Sequence, residues 1–401
     1  MLPKSKLIRV TTVPLSLHKL LGKQLKFMSN HYEVVGVASK GELLRRVSEE
    51  QNIRVVGINM TRIVSPISDL ISLCKLYLLF KKEKPQIVHT HTPKAGLIGM
   101  LAAWLARVPV RMHTVAGLPL LEADGIKRKI LVLTERLTNA CACNVYSNSY
   151  KMMEIMLDND LCSPSKLGVI GNGSSNGIDT NYFAPSSINN TAKENLKAEL
   201  KISSTDKVLC FIGRVVSDKG INELVSAFLN LVNQNPNLKL LLIGPLEPEL
   251  DALNKQTENA VLNHPNICFA DYQEDVRPYL AVSDIFVFPS YREGFPNVVM
   301  QAGAMGVPCI VSNINGCNEI IEHGKNGLIV PSKDSEALED AIHFLLNDDK
   351  ALQQMADVSR EIIIKRYDQK YVWQELLKEY RKQMGDLTDQ ERIVEYVSEP
   401  Y

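Results

Sequence analysis

Two short segments in the second half of the chain carry residues that could bind a diphosphate and a sugar. In the first, Gly213–Gly220, Arg214 and Lys219 lie between the strand-like run Val208–Gly213 and a helix-like run that begins at Ile221. A strand-to-helix turn gathers backbone N–H groups at the positive end of a helix dipole, where arginine adds bidentate contacts and lysine a point charge. This pattern predicts a diphosphate site; a solvated basic turn is the alternative.

The second segment follows the strand-like run Ile285–Pro289 and leads into a helix predicted over Asn297–Met305. Glu293 then lies at the carboxyl end of a strand, where α/β proteins bind ligands. The turn Gly294–Pro296 and the small residues of the helix allow its N-terminus to approach a ligand closely. We expect Glu293 to hold sugar hydroxyls and the backbone amides of 295–299 to bind a phosphate. A lone surface glutamate beside a tight turn is the alternative.

The elements that position these segments alternate between short apolar runs and helical patterns. Continuous apolar strands between amphipathic helices are typical of parallel sheets covered on both faces. Each half of the chain therefore predicts a doubly wound α/β domain. The strand-like runs are Ile8–Pro14, Glu33–Ser39, Ile53–Asn59, Gln86–Thr92, Val110–Ala116, Asn144–Ser149 and Leu167–Ile170 in the first half, and Val208–Gly213, Leu238–Gly244, Ile267–Ala270, Ile285–Pro289, Cys309–Val311 and Leu328–Val330 in the second.

The joint between the halves is predicted at Asn176–Asn190, which is rich in Asn, Ser and Pro. We expect an N-terminal Rossmann-like domain over residues 1–180, a C-terminal one over 181–366, and a helical segment over 367–401 that returns to the first domain. Two such domains create a cleft between the carboxyl ends of their sheets, and ligands bind at such edges.

Composition excludes several classes of protein. The 401 residues are 45% hydrophobic and 22% charged, which is ordinary for a globular chain and excludes disordered and collagen-like ones. No uncharged apolar run reaches the length of about 18 residues that a membrane span needs, and the N-terminus shows no cleavage-type site, so we expect a cytoplasmic protein. The eight cysteines form no Cys-x-x-Cys pair and are expected to be buried free thiols.

Charge is distributed unevenly although the formal net charge is zero. Residues 1–185 hold 24 Lys and Arg against 13 Asp and Glu, a net of +11, and residues 186–401 hold 21 against 32, a net of −11. A basic half indicates an anionic partner, such as a membrane surface, a lipid phosphate or a nucleic acid; scatter of charge between two domains is the alternative. Nucleic acid is the least favoured partner, because no aromatic surface accompanies the cations. Residues that could meet an anionic lipid or a lipid diphosphate, unless they serve only solubility, are Lys19, Lys23, Lys26, Lys127, Arg128 and Lys129.

The two ligand-binding segments, in this order and about 80 residues apart, also carry a resemblance. The chain resembles glycosyltransferases of family 4 with the GT-B architecture along nearly its whole length. The subgroup that it resembles comprises bacterial enzymes that build capsule, exopolysaccharide or glycan on a lipid carrier. Further segments that support the resemblance are His89–Ala95, His113–Pro119 and Asn176–Asp179.

The resemblance implies a nucleotide-diphosphate sugar, UDP-linked rather than GDP-linked, bound mainly by the second domain. It implies retention of the anomeric configuration, with no catalytic metal and no other cofactor, so that the protein supplies positioning and charge stabilisation. Residue by residue, Arg214 and Lys219 would hold the diphosphate, Glu293 would contact the sugar, and these three would form the catalytic set. The remaining donor-binding residues would be Gly213, Gly294, Phe295, Pro296, Asn297, Val298 and Gln301.

The sequence departs from the family pattern at two positions. Gln301 stands where the family usually has a second glutamate that meets the ribose; an amide can still hydrogen-bond a hydroxyl, so we expect modest weakening of donor binding. Ala116 precedes Gly117 where many members have His-Gly, so the usual histidine near the donor sugar is absent. His113 lies three residues earlier on the same strand and cannot simply inherit that role.

The first domain is expected to hold the acceptor, because its strand ends face the predicted cleft. The acceptor-side candidates are Pro14, Ser16, His91, Lys94, His113 and Gly117, although a strand-end histidine is more often structural than catalytic.

These observations together predict a retaining glycosyltransferase at the inner face of the plasma membrane. It would move a hexose or N-acetylhexosamine from a UDP-sugar to a saccharide on a polyprenyl diphosphate. Two alternatives stay open. A non-catalytic nucleotide-sugar binder would bind a donor without turnover, and a UDP-sugar 2-epimerase would need carboxylates and histidines placed to abstract a proton from C2.

Overall fold

The computed structural model describes residues 4–61 and 65–385 of the 401-residue chain. The chain divides into two units, Met1–Gly177 with Lys370–Tyr401, and Ile178–Gln369. The last described part of the chain, residues 370–385, therefore belongs to the first unit. Residues 386–401 of the expected returning segment lie outside the described residues.

The first unit contains a parallel sheet whose strand order in the described residues is β3-β2-β1-β4-β5-β6-β7. The order changes direction between β1 and β4, which is the point where open α/β sheets bind ligands. The strands are β1 (Lys6–Val10), β2 (Glu33–Ala38), β3 (Arg54–Gly57), β4 (Ile87–His91), β5 (Val110–Val115), β6 (Asn144–Ser147) and β7 (Leu167–Val169).

The helices of the first unit cover both faces of this sheet. Right-handed crossovers place α3, α4 and α5 on one face, where α4 packs against both neighbours. Small residues of α4, such as Gly99, let this helix approach β4 and β1 closely. The helices are α1 (Gln24–Ser29), α2 (Glu42–Gln51), α3 (Pro66–Glu83), α4 (Pro93–Leu105), α5 (Gly125–Cys141) and α6 (Tyr150–Asp158).

The first strand ends earlier than its apolar run predicts. β1 stops at Val10, and the chain continues through Pro14 into a short π-type helical turn, Ser16–Leu21. Proline has no N–H to donate to a strand ladder, and the Thr11 hydroxyl instead donates to the Val13 carbonyl over 3.0 Å. The prediction of a strand to Pro14 was therefore wrong over its last residues.

The second unit contains a parallel sheet of the order β10-β9-β8-β11-β12-β13. The strand order changes direction between β8 and β11, next to the two segments that the sequence analysis predicts to bind ligands. The strands are β8 (Lys207–Ile212), β9 (Leu238–Ile243), β10 (Ile267–Ala270), β11 (Ile285–Phe288), β12 (Cys309–Ser312) and β13 (Gly327–Val330). The helices are α7 (Asn190–Glu199), α8 (Ile221–Gln234), α9 (Lys255–Asn263), α10 (Arg277–Ala281), α11 (Asn297–Ala304), α12 (Cys317–Ile320), α13 (Ser335–Asn347) and α14 (Asp349–Tyr367).

The last described helix, α15 (Gln369–Met384), is part of the first unit except for its first residue. Its buried Leu376 and Leu377 join the core beneath β1 and β5. The Tyr380 hydroxyl lies 2.7 Å from His89 Nδ1, and Trp373 Nε1 donates to Asn176 Oδ1 over 2.7 Å. This helix thus packs on the first sheet through both apolar and polar contacts.

The cysteines are all free thiols, as expected. Burial was predicted for all of them, yet Cys74 is exposed and Cys143, Cys162 and Cys268 are partly exposed. Cys74 faces outwards because α3 turns Leu76 and Phe80 towards the core. Among the described helices, none combines the length and the apolar character that crossing a membrane requires.

Candidate active site

The loop after β8 is anchored by buried apolar residues that leave its charged residues at the surface. Val215 and Val216 are fully buried, and the Val215 amide donates to the Pro245 carbonyl over 2.8 Å. Arg214 and Lys219 lie on either side of these valines and are partly exposed. The loop is therefore held rigidly while it presents two cations.

Gly220 allows this loop to approach the end of β11. Its φ of +70° is a left-handed conformation, and a Cβ atom there would lie 2.1 Å from the Pro289 carbonyl oxygen. At this contact the Tyr291 amide donates to the Asp218 carbonyl over 2.9 Å. The two segments that the sequence singled out are thus in direct backbone contact.

The contact brings Lys219 and Glu293 together as an ion pair. Lys219 Nζ lies 2.6 Å from Glu293 Oε1, and the two side chains are 13% and 20% exposed. The fully buried Ser290 donates from its hydroxyl to the same carboxylate oxygen over 3.1 Å. The sequence analysis assigned Lys219 to the diphosphate and Glu293 to the sugar. It did not predict that the two side chains contact each other.

A second set of contacts holds the turn that carries Glu293. The Asn315 side-chain amide donates to the Glu293 and Gly294 carbonyls over 2.9 and 2.7 Å. Arg292 pairs with Asp218 Oδ2 at 3.0 Å. Sequence reasoning also missed Asn315. Its position after β12, at the carboxyl edge of the sheet and before Gly316, is a signal that could have identified it.

The N-terminus of α11 lies directly after this turn. Pro296 precedes the helix and supplies no side-chain cap to its first turn, so backbone N–H groups there could meet a ligand. Asn297 is exposed, Val298 and Gln301 are partly exposed, and Phe295 packs edge-on against Tyr367 at 5.4 Å. The sequence predicts them as donor-binding residues, and the structure places them within α11 or directly before it.

The Arg214 side chain pairs with a carboxylate other than that of Glu293. Its Nη1 atom is 3.6 Å from Glu247 Oε2, and the arginine side chain is 36% exposed. The structure therefore brings Lys219 and Glu293 together and pairs Arg214 with a different carboxylate.

In the first unit, His91 belongs to a buried polar cluster. Arg9 is fully buried and lies with Nη2 2.8 Å from His91 Nε2 and 2.9 Å from Gln24 Oε1. Burial holds the pKa of His91 and of His89 well below the usual value, so both rings are neutral. Since Arg9 can only donate, neutral His91 accepts at Nε2 and carries its proton on Nδ1.

His113 is also an interior residue. Its Nδ1 atom lies 2.8 Å from the Thr90 hydroxyl, and a Cβ atom on Gly96 would lie 2.4 Å from its ring. Burial lowers the pKa of His113 to about 4. His91 and His113 were expected on the acceptor side. In the structure both residues are only 2% exposed, and their rings lie between the sheet and the helices that cover it.

The other acceptor-side candidates are partly exposed, although the Lys94 side chain is only 11% exposed. Lys94 Nζ is 2.6 Å from Asp69 Oδ2, which joins the starts of α4 and α3. Pro14, Ser16 and Gly117 are partly exposed. Within the described part of the chain, no group of three or more His, Cys, Asp or Glu side chains is arranged to hold a metal ion.

Comparison with known families matches both units. Residues 192–362 match the model described as glycosyl transferases group 1, and residues 26–173 match the glycosyl transferase 4-like domain. The chain is 34% identical over 372 residues to the capsular polysaccharide biosynthesis glycosyltransferase CapM of Staphylococcus aureus, covering 92% of this chain and 95% of that one.

Another relative and a solved structure extend the comparison. The UDP-Gal:alpha-D-GlcNAc-diphosphoundecaprenol alpha-1,3-galactosyltransferase of Escherichia coli is 31% identical over 316 residues, which are 77% of this chain and 78% of that one. The fold is similar to Alr3699/HepE of Anabaena, solved with UDP and glucose, with a TM-score of 0.78, 19% identity and coverage of 96% of this chain and all of that one.

Two Rossmann-like units with a basic strand-to-helix loop beside a Glu-Gly turn define a glycosyltransferase of the GT-B class. The chain belongs to family 4 of the glycosyltransferases. The resemblance and the fold class expected from the sequence are thereby confirmed.

Proposed function

We propose that the chain is a retaining glycosyltransferase that uses a UDP-sugar to extend a saccharide on a polyprenyl diphosphate. The observation that carries this proposal is the 2.6 Å ion pair between Lys219 and Glu293, placed between the β8 loop and the start of α11. In this pair the Lys219 ammonium, which would bind phosphate oxygens, lies beside the Glu293 carboxylate, which would bind sugar hydroxyls.

Donor binding would use the groups at this edge of the second sheet. Lys219 has three N–H donors, so it can bind a phosphate oxygen while it keeps its contact with Glu293. The uncapped N-terminus of α11 offers N–H groups to a second phosphate oxygen, and Arg214 adds a bidentate contact. Gln301 would meet the ribose, and Glu293 the hydroxyls of the sugar.

The chemistry needs charge stabilisation more than a covalent intermediate. The bond between the anomeric carbon and the phosphate oxygen would break, which leaves negative charge on UDP and positive charge on the sugar ring. Lys219, Arg214 and the α11 amides stabilise the departing diphosphate, while Glu293 orients the sugar. The acceptor hydroxyl would attack on the face that UDP leaves and pass its proton to a phosphate oxygen.

The identity of the substrates rests on the relatives. The E. coli relative is named for a UDP-galactose donor and a diphosphoundecaprenol acceptor, and the Anabaena structure holds UDP and glucose. These names support a UDP-linked hexose or N-acetylhexosamine as donor and a lipid-linked saccharide as acceptor. Such an acceptor would place the protein at the inner face of the plasma membrane.

A donor screen tests the proposal. Purified protein is incubated with UDP-, GDP- and dTDP-sugars, lipid-linked saccharide acceptors and EDTA, and the released nucleotide is measured. We expect release with a UDP-sugar that depends on acceptor and is lost in Glu293→Gln. Donor binding without release would favour the non-catalytic binder, and a changed sugar configuration at C2 without acceptor would favour the epimerase.

A further inference from the structure

A small cavity of the first unit lies beside a buried arginine. It has a volume of about 20 Å³, and its lining residues come from β1, β4, β5, β6, the segment 170–175 and α15. All of them belong to the first unit. We call it the Arg9 cavity and define it by Arg9, His91, Tyr146, Asn148 and Ser175. A space of roughly 10–15 Å³ holds one water-sized particle, so this cavity can hold one small molecule or ion.

Arg9 brings a full positive charge to this cavity. Its side chain is fully buried, and an arginine in a protein keeps its charge. The groups that accept from its Nη2 atom are neutral, namely His91 Nε2 at 2.8 Å and Gln24 Oε1 at 2.9 Å. Within residues 4–61 and 65–385, no carboxylate forms an ion pair with Arg9; Glu379 accepts instead from the hydroxyl of Tyr146, over 2.6 Å. A buried charge is costly unless it is paired, so this guanidinium requires a negative charge.

The wall of the Arg9 cavity carries hydrogen-bond donors that have no partner among the described residues. They are Arg9 Nη1, the Ser175 hydroxyl and His91 Nδ1. The last of these carries the ring proton, because His91 Nε2 accepts from Arg9. Asn148 Oδ1 also has no partner there, and rotation of this amide presents its N–H groups to the cavity instead. Unpaired donors around one positive charge suit an anion and oppose a cation.

We propose that the Arg9 cavity binds a single chloride ion. The ion neutralises the guanidinium and accepts hydrogen bonds from Arg9 Nη1, His91 Nδ1 and the Ser175 hydroxyl. A phosphate or a sulfate, with four oxygen atoms around a central atom, is too large for a cavity of about 20 Å³. A water molecule fits the volume but leaves the charge of Arg9 unbalanced.

The position of the cavity indicates what the ion does. Arg9 lies in β1 and His91 ends β4, the two strands between which the order of the first sheet changes direction. Val372 and Leu376 of α15 line the same cavity. A chloride ion there would join these elements, and a ligand that binds only the folded state adds to its stability. The inference concerns the first unit and does not depend on which substrates the protein uses.

Urea unfolding of the full chain tests the proposal, with sodium chloride replaced by sodium gluconate at constant ionic strength. Fluorescence reports on the first unit, because both tryptophans, Trp104 and Trp373, belong to it. We expect the urea midpoint to rise with the logarithm of the chloride concentration once this exceeds the dissociation constant. Gluconate, which is too large for the cavity, should give no such rise.

Three variants show whether this effect arises at the Arg9 cavity. Arg9→Met removes the charge, and its midpoint should be the same in both salts. Ser175→Ala removes one donor, and chloride should bind about tenfold more weakly, because a hydrogen bond to a charged group is lost. The matched control Arg111→Met removes an arginine of β5 that donates to the Cys141 and Val108 carbonyls over 2.7 Å each, and it should respond as the wild type does.

Crystals of the full chain grown in sodium bromide locate the ion directly. Anomalous diffraction at the bromine edge should show a peak within hydrogen-bond distance of Arg9 Nη1. The peak should be absent in Arg9→Met and present in Arg111→Met. If Arg9→Met does not fold, the weaker chloride response of Ser175→Ala serves in its place.

Three results would overturn the proposal. The first is an equal urea midpoint of the wild type in chloride and in gluconate. The second is a chloride response that persists unchanged in Arg9→Met and Ser175→Ala. The third is a bromide-grown crystal in which the cavity holds a water molecule and gives no anomalous signal. None of these measurements involves donor turnover, so their failure leaves the proposed transferase untouched.

Discussion

Lys219 Nζ lies 2.6 Å from Glu293 Oε1, although 74 residues separate them in the chain. Gly220 makes this contact possible, since any side chain there would collide with the Pro289 carbonyl. The fold thus holds a cation and a carboxylate side by side, and groups that the fold positions need little reorganisation during a reaction.

Removal of the cation from this pair should disable the reaction more than the fold. Lys219→Met takes away the charge that, under the proposed function, stabilises the leaving diphosphate, and we expect kcat/KM for the UDP-sugar to fall by roughly 100-fold or more. Steady-state UDP release measures this. The matched control is Lys325→Met, which breaks the exposed 2.8 Å pair with Glu322 and should leave kcat/KM unchanged. Equal losses in both variants would contradict a specific role for Lys219.

Asn315 should act as a positioning residue for Glu293. Asn315→Ala removes the hydrogen bonds to the Glu293 and Gly294 carbonyls, each worth about 1 kcal/mol, and frees the turn. We expect kcat to fall about tenfold with a smaller change in KM. The control Asn318→Ala removes an exposed hydrogen bond to Asn313 and should retain activity. An unchanged kcat in Asn315→Ala would show that the turn is held without this side chain.

Gln301 offers a gain-of-affinity test. Gln301→Glu restores the carboxylate that the family usually has, and a charged acceptor binds a ribose hydroxyl more strongly than an amide does. We expect the KM for the UDP-sugar to fall several-fold, with little change for a donor analogue without ribose hydroxyls. A rise in KM for both would place Gln301 against the diphosphate, where added negative charge repels.

The stability of the first unit should depend on pH because Glu135 is buried. Burial raises the pKa of this carboxyl to about 7, whereas the unfolded chain releases the proton near 4.5. Between these values the unfolded state binds fewer protons, so the free energy of unfolding falls as pH rises. Glu135→Gln removes this loss, and we expect it to be more stable than the wild type by up to about 3 kcal/mol at pH 8 and equally stable at pH 4.5.

Urea unfolding at both pH values measures this difference. His113 provides an internal reference, because burial lowers its pKa to about 4 from an unfolded value of 6.5. Between these values the unfolded state binds more protons, so stability falls as pH decreases. This acid-side fall should persist in Glu135→Gln. An identical pH profile for both proteins would mean that Glu135 is solvated.

Sequence reasoning located the strands well because buried parallel strands are apolar throughout. The run Val208–Gly213 is shifted by one residue from β8, and the run Ile285–Pro289 extends one residue beyond β11. The sequence analysis could not predict contacts between distant residues, such as the contact of Asn315 with the turn at Glu293. The type of a residue does not indicate which distant residue it will contact. The sequence analysis also placed His91 and His113 at an accessible edge, because alternation along a fully buried strand does not say which face meets solvent.

The most direct test of the account is acceptor-dependent release of UDP by the purified chain, measured for the wild type and Glu293→Gln in EDTA. The account predicts that one UDP-sugar supports release only with a lipid-linked saccharide, that the product keeps the anomeric configuration of the donor, and that Glu293→Gln reduces the rate by roughly 100-fold or more. Equal rates for both proteins, or an inverted product, would contradict it.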